Sequence, residues 1–233
     1  MDFLTSGCSF TGQEKYNSGW PVWLKEFGQV KNLGVPGAGN QYISDSIILE
    51  VSAGKKQYDC VLVMWSGLQR IDFIVDHLAA NKDHQALDDV SYLVYGDLVH
   101  KLKEYKSIIM SGNELTRGIR SILEIIKLQN FLKNKKIKYY FMSYVNYWND
   151  KDNVKNYNFG VFKYEKLKVL CNEIDFDNFI FAENNDCIFE TSEKCNGLHS
   201  DDFHPSAVGY DYWMTQYVIP RLKKDKVIEE KMC

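Results

Sequence analysis

Four apolar runs, separated by stretches too long for hairpins, are the feature that most narrows what this chain can fold into. They are Asp2–Ser6, Val30–Val35, Cys60–Ser66 and Lys138–Val145, with a weaker fifth at Asn178–Ala182. Their Val/Ile/Leu/Phe character suits strands covered on both faces, and connections of this length are crossovers between parallel strands. One of these crossovers carries a clear amphipathic helix. Leu115, Ile119, Ile122 and Ile126 recur at i, i+4, i+7 and i+11, Ile125, Leu128 and Leu132 widen the stripe, and "KNKK" closes it with a basic last turn. Trp20–Phe27 and Pro205–Leu222 also read as helices. The expectation is an α/β fold: a three-layer α/β/α sandwich, flavodoxin-like, with a parallel sheet of about five strands.

Residues 1–222 read as one domain, which is ordinary for a chain of 233 residues. Residues 72–113 form a long connection whose apolar positions Leu87, Tyr92, Leu93, Val94 and Leu98 predict additional helix. Residues 143–164, rich in Asn, Tyr and Trp, read as a loop, and 223–233 as a charged, frayed tail.

Charge and cysteine usage exclude several functional classes. A net charge of -3, with only four arginines (Arg70, Arg117, Arg120, Arg221) among the 28 basic residues, gives no footprint for nucleic acid. The start "MDFLTSG" is not a signal peptide and no run is long enough to span a membrane, so a cytoplasmic, unexported protein without membrane partners is expected. Cys8, Cys60, Cys171, Cys187, Cys195 and Cys233 show no C-x-x-C pair and no zinc spacing, which predicts free thiols and no metal. The glycines at 34, 37 and 39 do not follow G-x-G-x-x-G order, and no lysine sits as a P-loop requires, so no nucleotide cofactor is expected.

In an open α/β sheet, chemistry collects outside the carboxyl ends of the strands. Here those ends carry Gly7-Cys8-Ser9, "NLGVPGAGN" (Asn32–Asn40) and "WSGLQR" (Trp65–Arg70), while "SDDFHPSAVGY" precedes the last helix. In that final block Pro205 forces His204 into an extended conformation at a rigid junction, and Asp201, three residues upstream, can fold back to hold one ring nitrogen. Together these blocks resemble the SGNH (GDSL-like) hydrolase family from Ser6 to Tyr210. Gly7-Cys8-Ser9 is similar to the family's G-D-S with Cys8 in place of aspartate. Asn32-x-Gly34-x-x-Gly37 is similar to its N-x-G-x-x-G turn, and Asp201-x-x-His204-Pro205 to its D-x-x-H-P. Gly67-Leu68-Gln69-Arg70 matches G-x-N-D in part, with Gln69 where asparagine stands.

The resemblance implies a cofactor-free serine ester hydrolase. Ser9 is then the nucleophile, His204 its base and Asp201 the orienting carboxylate, with Ser9 N–H, Gly37 N–H and the Gln69 amide as oxyanion hole. Gln69 is one methylene longer than asparagine: either the backbone retreats to hold it, or only backbone donors serve. Arg70 is a candidate for a polar part of the substrate or for a structural ion pair. Trp65, Tyr147 and Trp148 are substrate-binding candidates, and the aromatic stretch from Ser143 to Tyr164 is either a sugar platform or packing against the domain. The expected partner is a small-molecule or glycan ester, with an O-acetyl group on a carbohydrate as one form. Acyl transfer with the same residues, and a non-catalytic binding module that kept the scaffold, are the alternatives. Cys8 is expected in the core, His199 in a loop, and His77, His84 and His100 at exposed helix positions.

Overall fold

The computed structural model describes residues 1–12, 19–76, 85–87, 90–93, 113–148 and 164–229. Its centre is a parallel sheet of β1 (Asp2–Gly7), β2 (Gln29–Asn32), β3 (Cys60–Trp65) and β7 (Lys138–Ser143), in the order β2-β1-β3-β7. Thr5 pairs with Asn32 on one side and Leu62 on the other, and Leu62 pairs onward with Tyr140. All six residues of β3 are buried. Alternate strand residues point to opposite faces, so both faces of the sheet are covered and the expected three layers are present.

Among the described residues four strands of this sheet are hydrogen-bonded, where about five were expected. The fifth position is reduced to one parallel bridge, Phe141 to Phe179, with Ile180 N–H donating to Phe141 O at 2.9 Å. Turns of 3-10 helix at Phe176–Asn178 and Glu183–Asn185 flank it and leave too few extended residues for a ladder.

The helices follow local chemistry. The helix α1 (Asn40–Ser52) leads into β3, and α2 (Glu114–Lys135) packs against α1 with Ile122, Ile125, Leu128 and Leu132 fully buried. Asn113 caps α2 by accepting from Thr116 N–H at 2.8 Å, and Lys136 ends it in the left-handed conformation at φ 57°. Trp20–Glu26 is a 3-10 helix. After β7 come α3 (Glu165–Cys171) and α4 (Ile188–Lys194). The last helical run, expected as one helix, is α5 (Ala207–Trp213), a π-helical turn at Met214–Val218, and α6 (Ile219–Lys224). Pro220 explains the interruption: it has no N–H to return and its ring crowds the preceding turn, so the chain widens, with Ile219 N–H donating to Met214 O.

Two further expectations are corrected. The described parts of the 72–113 connection are antiparallel β rather than helix: β4 (Phe73–Asp76), β5 (Gln85–Leu87) and β6 (Val90–Leu93), in the order β4-β6-β5. Tyr92 fastens this small sheet to α1, its hydroxyl donating to Asp45 at 2.9 Å and its ring edge-on to Tyr42. The tail is not frayed throughout, because Val227 N–H donates to Leu222 O and Ile228 is buried. His77, His84, His100, Cys233 and residues 149–163 of the aromatic loop lie outside the described residues. The five described cysteines are free thiols, and Cys8 is buried in the core.

Candidate active site

Strand order reverses between β1 and β3, so the crevice at the carboxyl end of β1 is the topological switch point where α/β sheets bind ligands. Ser9 stands there. Cys8 O accepts from both Thr11 N–H (2.8 Å) and Gly12 N–H (2.9 Å), which closes a tight turn around Ser9. A Cβ at residue 7 would lie 2.1 Å from Thr11 Oγ1 and 2.9 Å from Met64 O, so the turn admits only glycine before it. Neighbours fix it further. Trp20 Nε1 donates to Thr11 Oγ1 (3.0 Å), Asn32 Nδ2 to Thr11 O (2.9 Å), and the Tyr210 hydroxyl to Phe10 O (2.9 Å).

The second half of the site is the clasped loop before α5. Leu198 bridges Pro205, His199 N–H donates to His204 O (2.8 Å), and Ser206 N–H donates to Gly197 O (2.7 Å). His199 therefore serves the loop through its backbone. The clasp brings His204 Nε2 to 2.8 Å from Ser9 Oγ, with the imidazole packed on the Phe10 ring at 4.9 Å between centroids. A serine hydroxyl within hydrogen-bond reach of an imidazole can lose its proton to that ring.

The carboxylate against the ring belongs to Asp202, which replaces Asp201 in the expected assignment. Asp202 Oδ1 accepts from His204 N–H at 3.1 Å and lies 3.2 Å from Nδ1. Shared in this way, it gives Nδ1 electrostatic support rather than a well-formed hydrogen bond. Burial pushes the Asp202 carboxyl upward, but the His204 N–H and the nearby imidazole outweigh it and hold the group below the usual carboxylate range. Phe203 is the cause of the change in register. It sits at φ 57°, and this left-handed step turns the residue two before His204 towards the ring, while Asp201 is exposed.

Gly37 adopts φ 82° in the loop between β2 and α1, a conformation suited to glycine. Gln69 lies beyond β3 with its amide folded over Gly67: a Cβ at 67 would stand 2.9 Å from Oε1 and 3.2 Å from Nε2. Glycine at 67 thus makes room for the longer arm, and Gln69 Oε1 is buried without a hydrogen-bond partner.

The substrate-binding candidates are corrected. Trp65 is buried edge-on against Phe141. Tyr147 is buried and donates to the Tyr144 hydroxyl (2.9 Å), and Trp148 is buried between Phe176 and Phe179 with Nε1 on Ser143 Oγ (3.0 Å). These rings serve the core. Arg70 donates to Ala38 O at 3.1 Å and stacks near Tyr144, which is structural duty. Sequence reasoning missed Asp202, Phe10, Asn40 and Asp72. Only Asp202 left a signal, as the second of two adjacent aspartates. Among the described residues no group of three or more His, Cys, Asp or Glu side chains is placed to hold a metal ion.

No family model and no curated protein matches the sequence. Solved structures do. TesA superimposes with a TM-score of 0.52 at 9% identity, covering 96% of this chain and 99% of that one. A catalytic mutant of the acetylxylan esterase Axe2 from Geobacillus stearothermophilus superimposes with a TM-score of 0.50 at 14% identity, covering 98% and 94%. The fold is that of the SGNH hydrolases. Within this SGNH fold, Ser9, Gly37, Gln69 and His204 come from four separate segments of the chain that follow β1, β2, β3 and α4.

Proposed function

We propose that the protein is a serine ester hydrolase that works through an acyl-enzyme. The observation that carries this reading is the 2.8 Å contact between Ser9 Oγ and His204 Nε2 at the switch point of the sheet, with Asp202 behind the imidazole. Ser9 Oγ attacks the ester carbonyl as His204 Nε2 takes its proton, and the Asp202 carboxylate stabilises the imidazolium. The carbonyl oxygen becomes an oxyanion, held by Ser9 N–H, Gly37 N–H and the Gln69 amide. Collapse expels the alcohol, which leaves with the proton from His204. Water, deprotonated by the same nitrogen, then releases the acid and restores Ser9.

A short O-acyl ester is the substrate class, with an O-acetyl group on a carbohydrate as its best-supported form. The likeness to an acetylxylan esterase supports it. The buried Tyr147 and Trp148 contribute no sugar platform to it.

A fluorophosphonate probe, followed by peptide mass spectrometry, tests the reading without assuming a substrate. The expected result is labelling confined to Ser9 and abolished in Ser9→Ala, together with hydrolysis of 4-nitrophenyl acetate that the same substitution removes. A folded protein that is neither labelled nor active would overturn the reading in favour of a binding module.

A further inference from the structure

The loop carrying Gly37 and the segment carrying Gln69 are joined by a buried polar network. Asn40, the first residue of α1, accepts from Ser66 N–H at 2.8 Å and donates to Ser66 O at 3.3 Å. Arg70 reaches back to Ala38 O at 3.1 Å. Asp72 is 2% exposed and uses both oxygens, accepting from Gly39 N–H (2.8 Å) and Tyr42 N–H (2.9 Å).

Asp72 takes the place of a helix cap that the local sequence lacks. The N-cap of α1 is Gly39, which has no side chain to offer, and the orphan donors of the first turn go to a carboxylate 33 residues away. Gly39 itself has φ −95°, open to any residue, yet a Cβ there would stand 2.7 Å from one Asp72 oxygen and 2.9 Å from the other. Glycine at 39 therefore serves the close approach of the carboxylate and not the backbone angle. A serine or aspartate at 39 would cap α1 without burying a distant charge, which is the cheaper arrangement. What the distant carboxylate adds is a fixed distance between residues 37–39 and 69–72.

We propose that Asp72, assisted by Arg70, is a positioning residue for the oxyanion hole: it holds the Gly37 peptide and the Gln69 amide at one spacing, so that their donors converge on the developing charge. The assignment rests on the esterase reading above. Donors in an oxyanion hole act only when preorganised, and a displacement of about 1 Å can cost about a hundredfold. The clamp matters more here because Gln69, longer than asparagine, has more freedom to miss.

The test is steady-state hydrolysis of 4-nitrophenyl acetate by Asp72→Ala, Gly39→Ala and the double variant, normalised to Ser9 labelled by fluorophosphonate at saturation. Each single substitution is expected to lower kcat about tenfold to a hundredfold while KM moves less than about threefold. In the double variant the Cβ meets no carboxylate, so Gly39→Ala should add less than about twofold to Asp72→Ala. Asp72→Asn, which keeps one oxygen acceptor, should recover part of the rate. Gly39→Ala removes no charge and keeps the test available if Asp72→Ala does not fold. Variants that lose thermal stability but keep wild-type kcat per labelled Ser9 would overturn the assignment and leave the esterase reading standing. A wild-type protein that neither labels nor turns over would overturn both.

Discussion

Single residues decide the register of the site. Asp201 and Asp202 are adjacent and chemically identical, and with the left-handed Phe203 between them and His204 it is Asp202 that faces the ring. That conformation costs a non-glycine residue about 1–2 kcal/mol, and here Phe203 N–H is fastened to His199 O at 3.1 Å. The consequence is a sharp asymmetry. Asp202→Ala should lower kcat/KM for 4-nitrophenyl acetate by about a hundredfold or more, because the imidazolium loses its counter-charge, whereas Asp201→Ala should stay within about threefold of wild type. The reverse ranking would restore the D-x-x-H assignment read from the sequence. No spacing rule separates neighbouring aspartates, so the choice became visible only with the φ angle of the residue that follows them.

At the scale of elements, legibility tracks how local the determining physics is. The central strands Cys60–Trp65 and Lys138–Ser143 could be read from continuous apolar runs, and the α2 helix from its stripe, because burial of these residues depends on nothing but their own pattern. The juxtaposition of Ser9 and His204 rests on local devices too, a glycine-ended strand and a His-Pro junction. The small antiparallel sheet was not: Tyr92 is held by Asp45 and Tyr42, both distant in sequence. Trp148 and Tyr147 misled for a related reason. Their indole and hydroxyl groups find partners at Ser143 and Tyr144, and α4 is fastened to the same segment. Glu190, in the first turn of α4, does the fastening: one oxygen accepts from Asn146 N–H and the other from Cys187 N–H, each at 2.9 Å. Glu190→Ala should therefore lower stability by about 2–3 kcal/mol, read as a shifted urea midpoint, since charge-assisted bonds to two otherwise orphan donors are lost. A midpoint unchanged within error would show that the 143–148 segment is held by its aromatic packing alone.

For the whole molecule, the decisive feature is how the end of the chain returns to its centre. Asp225 accepts from the Tyr140 hydroxyl of β7 at 2.7 Å and from Arg221 Nε at 2.8 Å, with Lys138 at 3.8 Å, and Ile228 is buried just beyond. Burial alone would raise the Asp225 carboxyl, but Arg221, Tyr140 and Lys138 outweigh it and hold its pKa below the usual range. A carboxyl depressed in the folded state contributes stability that is present above its unfolded value, about 3.9, and is lost as pH falls through the folded value. Asp175, beside Lys133, Asn178 and Tyr139, is depressed in the same sense and fastens the segment after α3 to the end of α2. Removing residues 225–233 should thus destabilise the protein by about 3–5 kcal/mol at neutral pH, combining the exposed Ile228 contact surface with an unpaired Tyr140 and Arg221. Asp225→Asn should lose only the ionic part of this, and its deficit relative to wild type should shrink as pH falls from 7 to below about 3. Urea midpoints at both pH values separate the two contributions. A deficit for Asp225→Asn that stays constant with pH would mean that the ionised charge of Asp225 contributes nothing, and that the C-terminal segment is held by Ile228 and α6 packing.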